Sequence, residues 1–144
     1  MSAETILSQL RRFLLALAAF LLVGTLVELI AIKHTQEPVQ LVPFALCIVG
    51  LIAVAAALAR PRRKMLLALR VLMVPLALGS LLGVWEHIEN NVAFYLEVHG
   101  TGTTAQLMAE ALGGRNPLLA PGMLALAAVL AAAATYYHPA FEDR

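Results

Sequence analysis

The chain is poor in charge, in cysteine and in aromatic rings. Of its 144 residues 13% are charged and 6% aromatic, while 61% are hydrophobic and the mean hydropathy is +0.84. Soluble domains carry about 25% charged and about 45–50% apolar residues, so this sequence lacks the polar surface needed to coat a globule in water. The single cysteine, Cys47, lies in an apolar run. It excludes an intramolecular disulfide, a CxxC redox pair and CxxCH haem attachment, and with them the membrane thiol oxidoreductases that relay electrons to quinone. The ten Lys and Arg residues fall in short groups, with no helix-length basic stripe of the kind nucleic acid requires. There is no phosphate-binding loop, and no serine nucleophile accompanied by a matching histidine and acid. Composition leaves one domain, residues 1–144, immersed in lipid.

Long apolar runs are what the sequence does have. A hydrocarbon core takes roughly 20 apolar residues in a helix to cross, and four runs meet that requirement: residues 13–32, 39–59, 65–85 and 118–137. The expectation is an all-α polytopic membrane protein, a four-helix transmembrane bundle. Glu37-Pro38 and Asn116-Pro117 read as a cap followed by the first helical residue, and residues 60–64 (Arg-Pro-Arg-Arg-Lys) as a charged turn that makes spans two and three antiparallel. The first apolar run exceeds the 7–15 residues of a signal-peptide core and has no small-x-small cleavage site, so it is read as a retained span. Ile6, Leu7 and Leu10 ahead of it suit an amphipathic turn or two at the interface.

Charge placement orients the bundle. With four spans, Arg11, Arg12, Arg60, Arg62, Arg63, Lys64, Arg70 and Arg144 share one side, leaving Lys33 and Arg115 on the other. Under the positive-inside rule both termini are cytoplasmic, an arrangement that suits a bacterial inner membrane. The near-neutral total of +1 is then a cancellation. The inner side carries +5 once Glu4, Glu142 and Asp143 are included, and the outer side −4.

The outer stretch 86–116 is expected to be partly helical. Residues 84–97 contain no Gly or Pro, and Glu86, Asn90, Ala93 and Glu97 recur on one helical face, so the third helix should project beyond the membrane until Gly100-Thr101-Gly102. Thr103 or Thr104 then caps a short helix over 105–112, ended by Gly113-Gly114 and lying on the membrane surface or over the bundle mouth. Trp85, Tyr95, Tyr136 and Tyr137 fit interfacial belts, and Pro75 is expected to kink the third span.

Small residues mark helix contacts in membranes. Gly24 on span one and Gly79 and Gly83 on span three suggest that these two spans touch, bringing Glu28 toward Glu86. Intramembrane acids face a bundle interior or a wet cavity, which makes Glu28, with Glu86 and Asn90, a candidate ion or proton site. The alternatives are a carboxylate that reaches the interface, pairs with Lys33 or bonds across helices. His34, Glu37, Glu86, His87 and Glu89 are candidate ligands for a divalent metal, although adjacent residues such as Glu86 and His87 diverge by about 100° on a helix. His34 and His87 are also the one pair placed to hold a shallow haem b. Helix-end capping by the same groups requires no cofactor, and no cofactor is the primary expectation.

Gly24-Thr25-x-x-Glu28 resembles the first span of small multidrug exporters, four-span proteins with an essential glutamate there. The resemblance covers span one alone and implies an ion-coupled transporter using Glu28; the long outer stretch and shallow acid depart from that pattern. Without a complete catalytic constellation, the leading expectation is a non-enzymatic accessory subunit. Its partners would be the bilayer and another membrane protein or a second copy of the chain, and not nucleic acid. The transporter and the metal or haem protein are the alternatives.

Overall fold

A computed structural model describes residues 2–141 as helices joined by turns, with no strand among the described residues. Glu142, Asp143 and Arg144, counted above in the inner charge, lie outside them. Helix α1 spans Ala3–Ala31. Ser2 starts it by accepting a hydrogen bond from the Thr5 amide at 3.3 Å, with Glu4 in the first turn where the helix dipole favours an anion. Residues 3–10 therefore continue α1 rather than forming separate turns, because no Gly or Pro interrupts them. At the other end the His34 amide bonds back to the Leu29 carbonyl at 3.0 Å and the Lys33 amide to Ile30 at 3.1 Å. This is the Schellman closure, with Lys33 at φ 54° where glycine is usual.

Glu37-Pro38 opens a 3-10 turn over Pro38–Leu41, in which Gln40 Oε1 accepts from the Gln36 and Glu37 amides, and α2 follows over Val42–Ala59. Helix α3, Arg63–His99, runs unbroken through Pro75 for 37 residues and ends at Gly100, φ 75°. Helix α4, Thr104–Gly113, is capped by Thr103 with Gln106 reaching back. Helix α5 spans Leu119–Ala133. The fourth run thus starts later than expected. Asn116 and Pro117 precede the helix, and its cap is Leu118, whose side chain makes no capping bond.

Three helical segments are long and apolar enough to cross a membrane: Ala3–Ala31, Pro38–Ala59 and Arg63–His99. Their hydropathy and outward-facing apolar side chains, Phe20, Ile52 and Leu82 among them, support a membrane-embedded protein. Helix α5 has 15 residues, roughly 22 Å against a hydrocarbon core of about 30 Å.

The helices pack as neighbours in the order α1, α2, α3, α5, with α5 returning to α1. Directions follow from specific contacts. Arg70 near the start of α3 bonds Thr135 after α5, while His87 far along α3 bonds Pro117 ahead of α5; α3 and α5 are antiparallel. Arg11 of α1 bonds the Tyr137 carbonyl, so α1 also opposes α5. The expected contact between spans one and three is not formed as a packed face, because α5 and α2 fill the flanks and leave α1 and α3 across the core from one another. That core holds Leu22, Val54, Leu66, Leu69, Leu76 and the Cys47 thiol, closed by the alanines Ala127, Ala128 and Ala131 of α5. Small side chains let α5 approach two neighbours at once.

Candidate functional site

Four polar residues are buried among the described residues: Thr25, Ser80, Asn91 and Thr135. None carries a charge, and no buried polar side-chain atom is left without a hydrogen-bond partner. Thr25 bonds the Leu21 carbonyl of its own helix at 3.0 Å. The other three tie α3 to the two ends of α5.

At the basic end, Arg70 lies one helical turn past the fully buried Leu66. Its Nε donates to Thr135 Oγ1 at 2.6 Å and its Nη2 to the Thr135 carbonyl at 2.8 Å, while the guanidinium sits 4.4 Å from the Phe141 ring centroid. Thr135 Oγ1 in turn donates to the Ala132 carbonyl at 2.7 Å. Arg11 reaches the Tyr137 carbonyl at 2.7 Å. Two guanidinium groups from two helices thus hold the carbonyls of the turns that follow α5, at the end where the helix dipole favours cations. His138, beside them, is held below its ordinary value of 6.5 by burial and secondarily by Arg11.

At the acidic end the attachment is a ladder on one face of α3. Ser80 donates to the Pro121 carbonyl. His87 Nδ1 lies 2.8 Å from the Pro117 carbonyl, and because a carbonyl only accepts, Nδ1 is the donor. Asn91, 1% exposed, closes the ladder: Oδ1 accepts from the Asn116 amide at 2.7 Å and Nδ2 donates to the Asn116 carbonyl at 3.0 Å, with the Ala111 carbonyl 3.5 Å away. Gly114 makes the approach possible. A Cβ there would stand 2.8 Å from Asn91 Cγ and 2.5 Å from the Glu110 carbonyl. This clasp fixes α4 and the segment 114–118 against the outermost turns of α3.

The acids named from sequence are not part of it. Glu86, Glu89 and Asn90 are exposed and Glu28 is half-buried near the end of α1; with α1 and α3 across the core from one another, no shared helix contact joins Glu28 to Glu86. Of the candidate metal ligands, Glu37 is exposed and His34 and His87 are half-buried. No three His, Cys, Asp or Glu side chains gather into a group able to hold an ion among the described residues, so the site named for a divalent metal is not assembled as a cluster. His34 is held below its ordinary value of 6.5 first by burial and then by His87.

The glycines divide similarly. A Cβ at Gly24 would meet nothing within 4 Å, one at Gly79 would lie 3.0 Å from Leu46 Cδ1 of α2, and one at Gly83 would lie 3.4 Å from Pro121 of α5. A close approach of three helices falls at a glycine that sequence reasoning passed over. A Cβ at Gly50 would stand 2.9 Å from Leu76 Cδ1 and 3.2 Å from Leu22 Cδ1, where three helices meet.

Asn91, Ser80, Thr135 and Arg70 also escaped the sequence reading as a set, yet Ser80, His87 and Asn91 recur at seven and four residues, one helical face. Comparison with known proteins finds no matching family model, curated protein or solved structure.

Proposed function

We propose that this chain is a non-enzymatic, multi-pass membrane subunit that presents its clasped α3–α4 cap to a partner at the outer membrane face. The observation that carries the reading is the buried Asn91 clasp. A helix that only crosses the bilayer needs about 20 residues, whereas α3 continues well past that length and α4 folds back against it, locked by a fully buried amide. Buried polar groups of this kind specify one arrangement when every member is satisfied, and a defined outer surface is what recognition requires. That surface carries Glu86, Glu89 and Glu97 on α3, all exposed.

In this reading α5 is a fourth, short span, its length made up by the turns 134–137 and its ends held by the arginine caps and the Ser80, His87 and Asn91 bonds. The arginine-rich end is cytoplasmic, by the positive-inside rule, and a bacterial inner membrane is the host. That no charged side chain is buried among the described residues favours a scaffold over an ion-coupled carrier, since carriers keep ionisable groups along a wet path.

Photo-crosslinking in native membranes tests the proposal. A photoreactive residue replacing Glu89 or Glu97 is expected to give one discrete protein adduct, lost when Asn91→Leu unlocks the cap. Adducts with lipid alone, or an unchanged pattern in the unlocked variant, would overturn it.

A further inference from the structure

A second feature of the same end is a groove of about 520 Å3 between the end of α4 and the first turns of α5, lined chiefly by Leu112, Pro117, Leu118, Leu119, Gly122 and Met123. No polar side chain lines it, so the group it accepts is hydrocarbon. The space at Gly122 is open, with no atom within 4 Å of where a Cβ would stand. The volume lies within the roughly 300–1,000 Å3 of single small-ligand sites. A protein helix, about 10 Å across with its side chains, is a poor match to a crease bounded by one short helix and one linker.

Charge supplies the second observation. Arg115 stands in the linker between two groove residues, Gly114 and Pro117, and is exposed. Its guanidinium is set over the Phe94 ring at 5.3 Å, which limits the side-chain freedom an anion would otherwise have to remove. The surrounding end carries Glu86, Glu89, Glu97 and Glu110, and Arg115 is the positive charge that the linker sets beside the groove. Guanidinium matches phosphate in geometry and charge.

From the groove and the arginine together we infer that the α4–α5 groove binds a glycerophospholipid of the surrounding leaflet, one acyl chain in the groove and its phosphodiester on Arg115. The inference rests on the membrane reading above and names a ligand for the same end of the molecule. The bound lipid would fill the gap left where α5 begins, completing the surface beneath α4.

Native mass spectrometry of the full-length protein, released from nanodiscs of phosphatidylglycerol and phosphatidylcholine, reads this directly. Wild type is expected to retain one phospholipid, and Arg115→Gln to lower that occupancy about ten-fold, the loss of one charge-assisted contact. Gly122→Leu, which fills the floor, is expected to reduce it at least as much. Diacylglycerol, which lacks the phosphate, should be retained equally by wild type and Arg115→Gln. Helicity and elution volume report folding of each variant, and Arg115→Gln, at an exposed position, keeps the test available if Gly122→Leu misfolds. Unchanged phospholipid occupancy in Arg115→Gln overturns the inference, as does a dimer signal that Gly122→Leu abolishes, which would assign the groove to a second copy. Liposome flotation separates this failure from failure of the membrane reading. A wild-type protein that floats but shows no retained lipid refutes the groove alone; one that does not float refutes both.

Discussion

Replacing Asn91 by leucine, of similar volume, should release the α4 cap from α3 while leaving the apolar core folded. The substitution removes the 2.7 Å and 3.0 Å bonds to Asn116 and leaves that residue's amide and carbonyl facing a hydrocarbon side chain. A buried polar group without a partner costs about 1–3 kcal/mol. Asn116 is half-buried, so water recovers part of this, and the expected loss is about 2–3 kcal/mol for the pair. At 1.4 kcal/mol per decade that corresponds to roughly thirty- to hundred-fold faster local opening. Amide hydrogen exchange in lipid nanodiscs reads it, at residues 104–118 of the cap against 45–57 of α2 as an internal reference. The cap should lose protection and the reference should not. Asn91→Asp should behave similarly, since it keeps an acceptor for the Asn116 amide but faces the Asn116 carbonyl without a donor. Equal cap protection in both variants and wild type would refute the idea that the clasp holds α4, and uniform loss across both regions would place Asn91 in the global fold instead.

Three further outcomes follow from named contacts. Arg70→Leu removes two charge-assisted bonds to Thr135 and the packing on Phe141, and should lower stability by about 1.5–3 kcal/mol, with thermal unfolding in mild detergent as the readout; Arg70→Lys should recover only part, lacking the planar fork. Lys33→Gly relieves a left-handed backbone at φ 54° and should raise stability by about 0.5–1 kcal/mol, so a lowered melting temperature would contradict the Schellman assignment. His34 is depressed by burial and by His87, which means its contribution is complete above 6.5 and declines as pH falls below that value, the unfolded chain taking up the proton first. Amide protection in residues 32–40, taken relative to the intrinsic exchange rate at each pH, should therefore fall on acidification, and His34→Gln should flatten the response.

The arithmetic of composition was enough to place this chain in lipid, since helix periodicity and hydropathy are local properties. Caps were legible too: Thr103 and Gly100 act where their chemistry indicates. What could not be read was the rotation of each helix. On α3 the sequence singled out Gly79, Gly83, Glu86 and Asn90, whereas the face turned toward α5 carries Ser80, Gly83, His87 and Asn91, about 100° round the helix for the polar members. Desolvation decides between them. A neutral hydroxyl, imidazole or amide is satisfied by one or two backbone bonds, while a carboxylate needs far more to leave water. Glu86 and Glu89 accordingly stay exposed. Gly50 was missed for a different reason: its neighbours Leu22 and Leu76 are distant in sequence, and only the side-by-side order of helices makes it a point of close approach. The arginine caps likewise depend on α5 lying between α1 and α3. Arg11 and Arg70 had been counted as charges that orient the chain, and they also complete a helix end.

Topology is the claim on which the rest stands, and the lone buried Cys47 makes it directly measurable, because native background labelling is low. Single cysteines at Glu97 and at Arg62 are probed in intact cells with a membrane-impermeant maleimide. Glu97→Cys is expected to label at once and Arg62→Cys only after permeabilisation. Labelling of Arg62→Cys in intact cells with Glu97→Cys protected, or equal access to both, would contradict it.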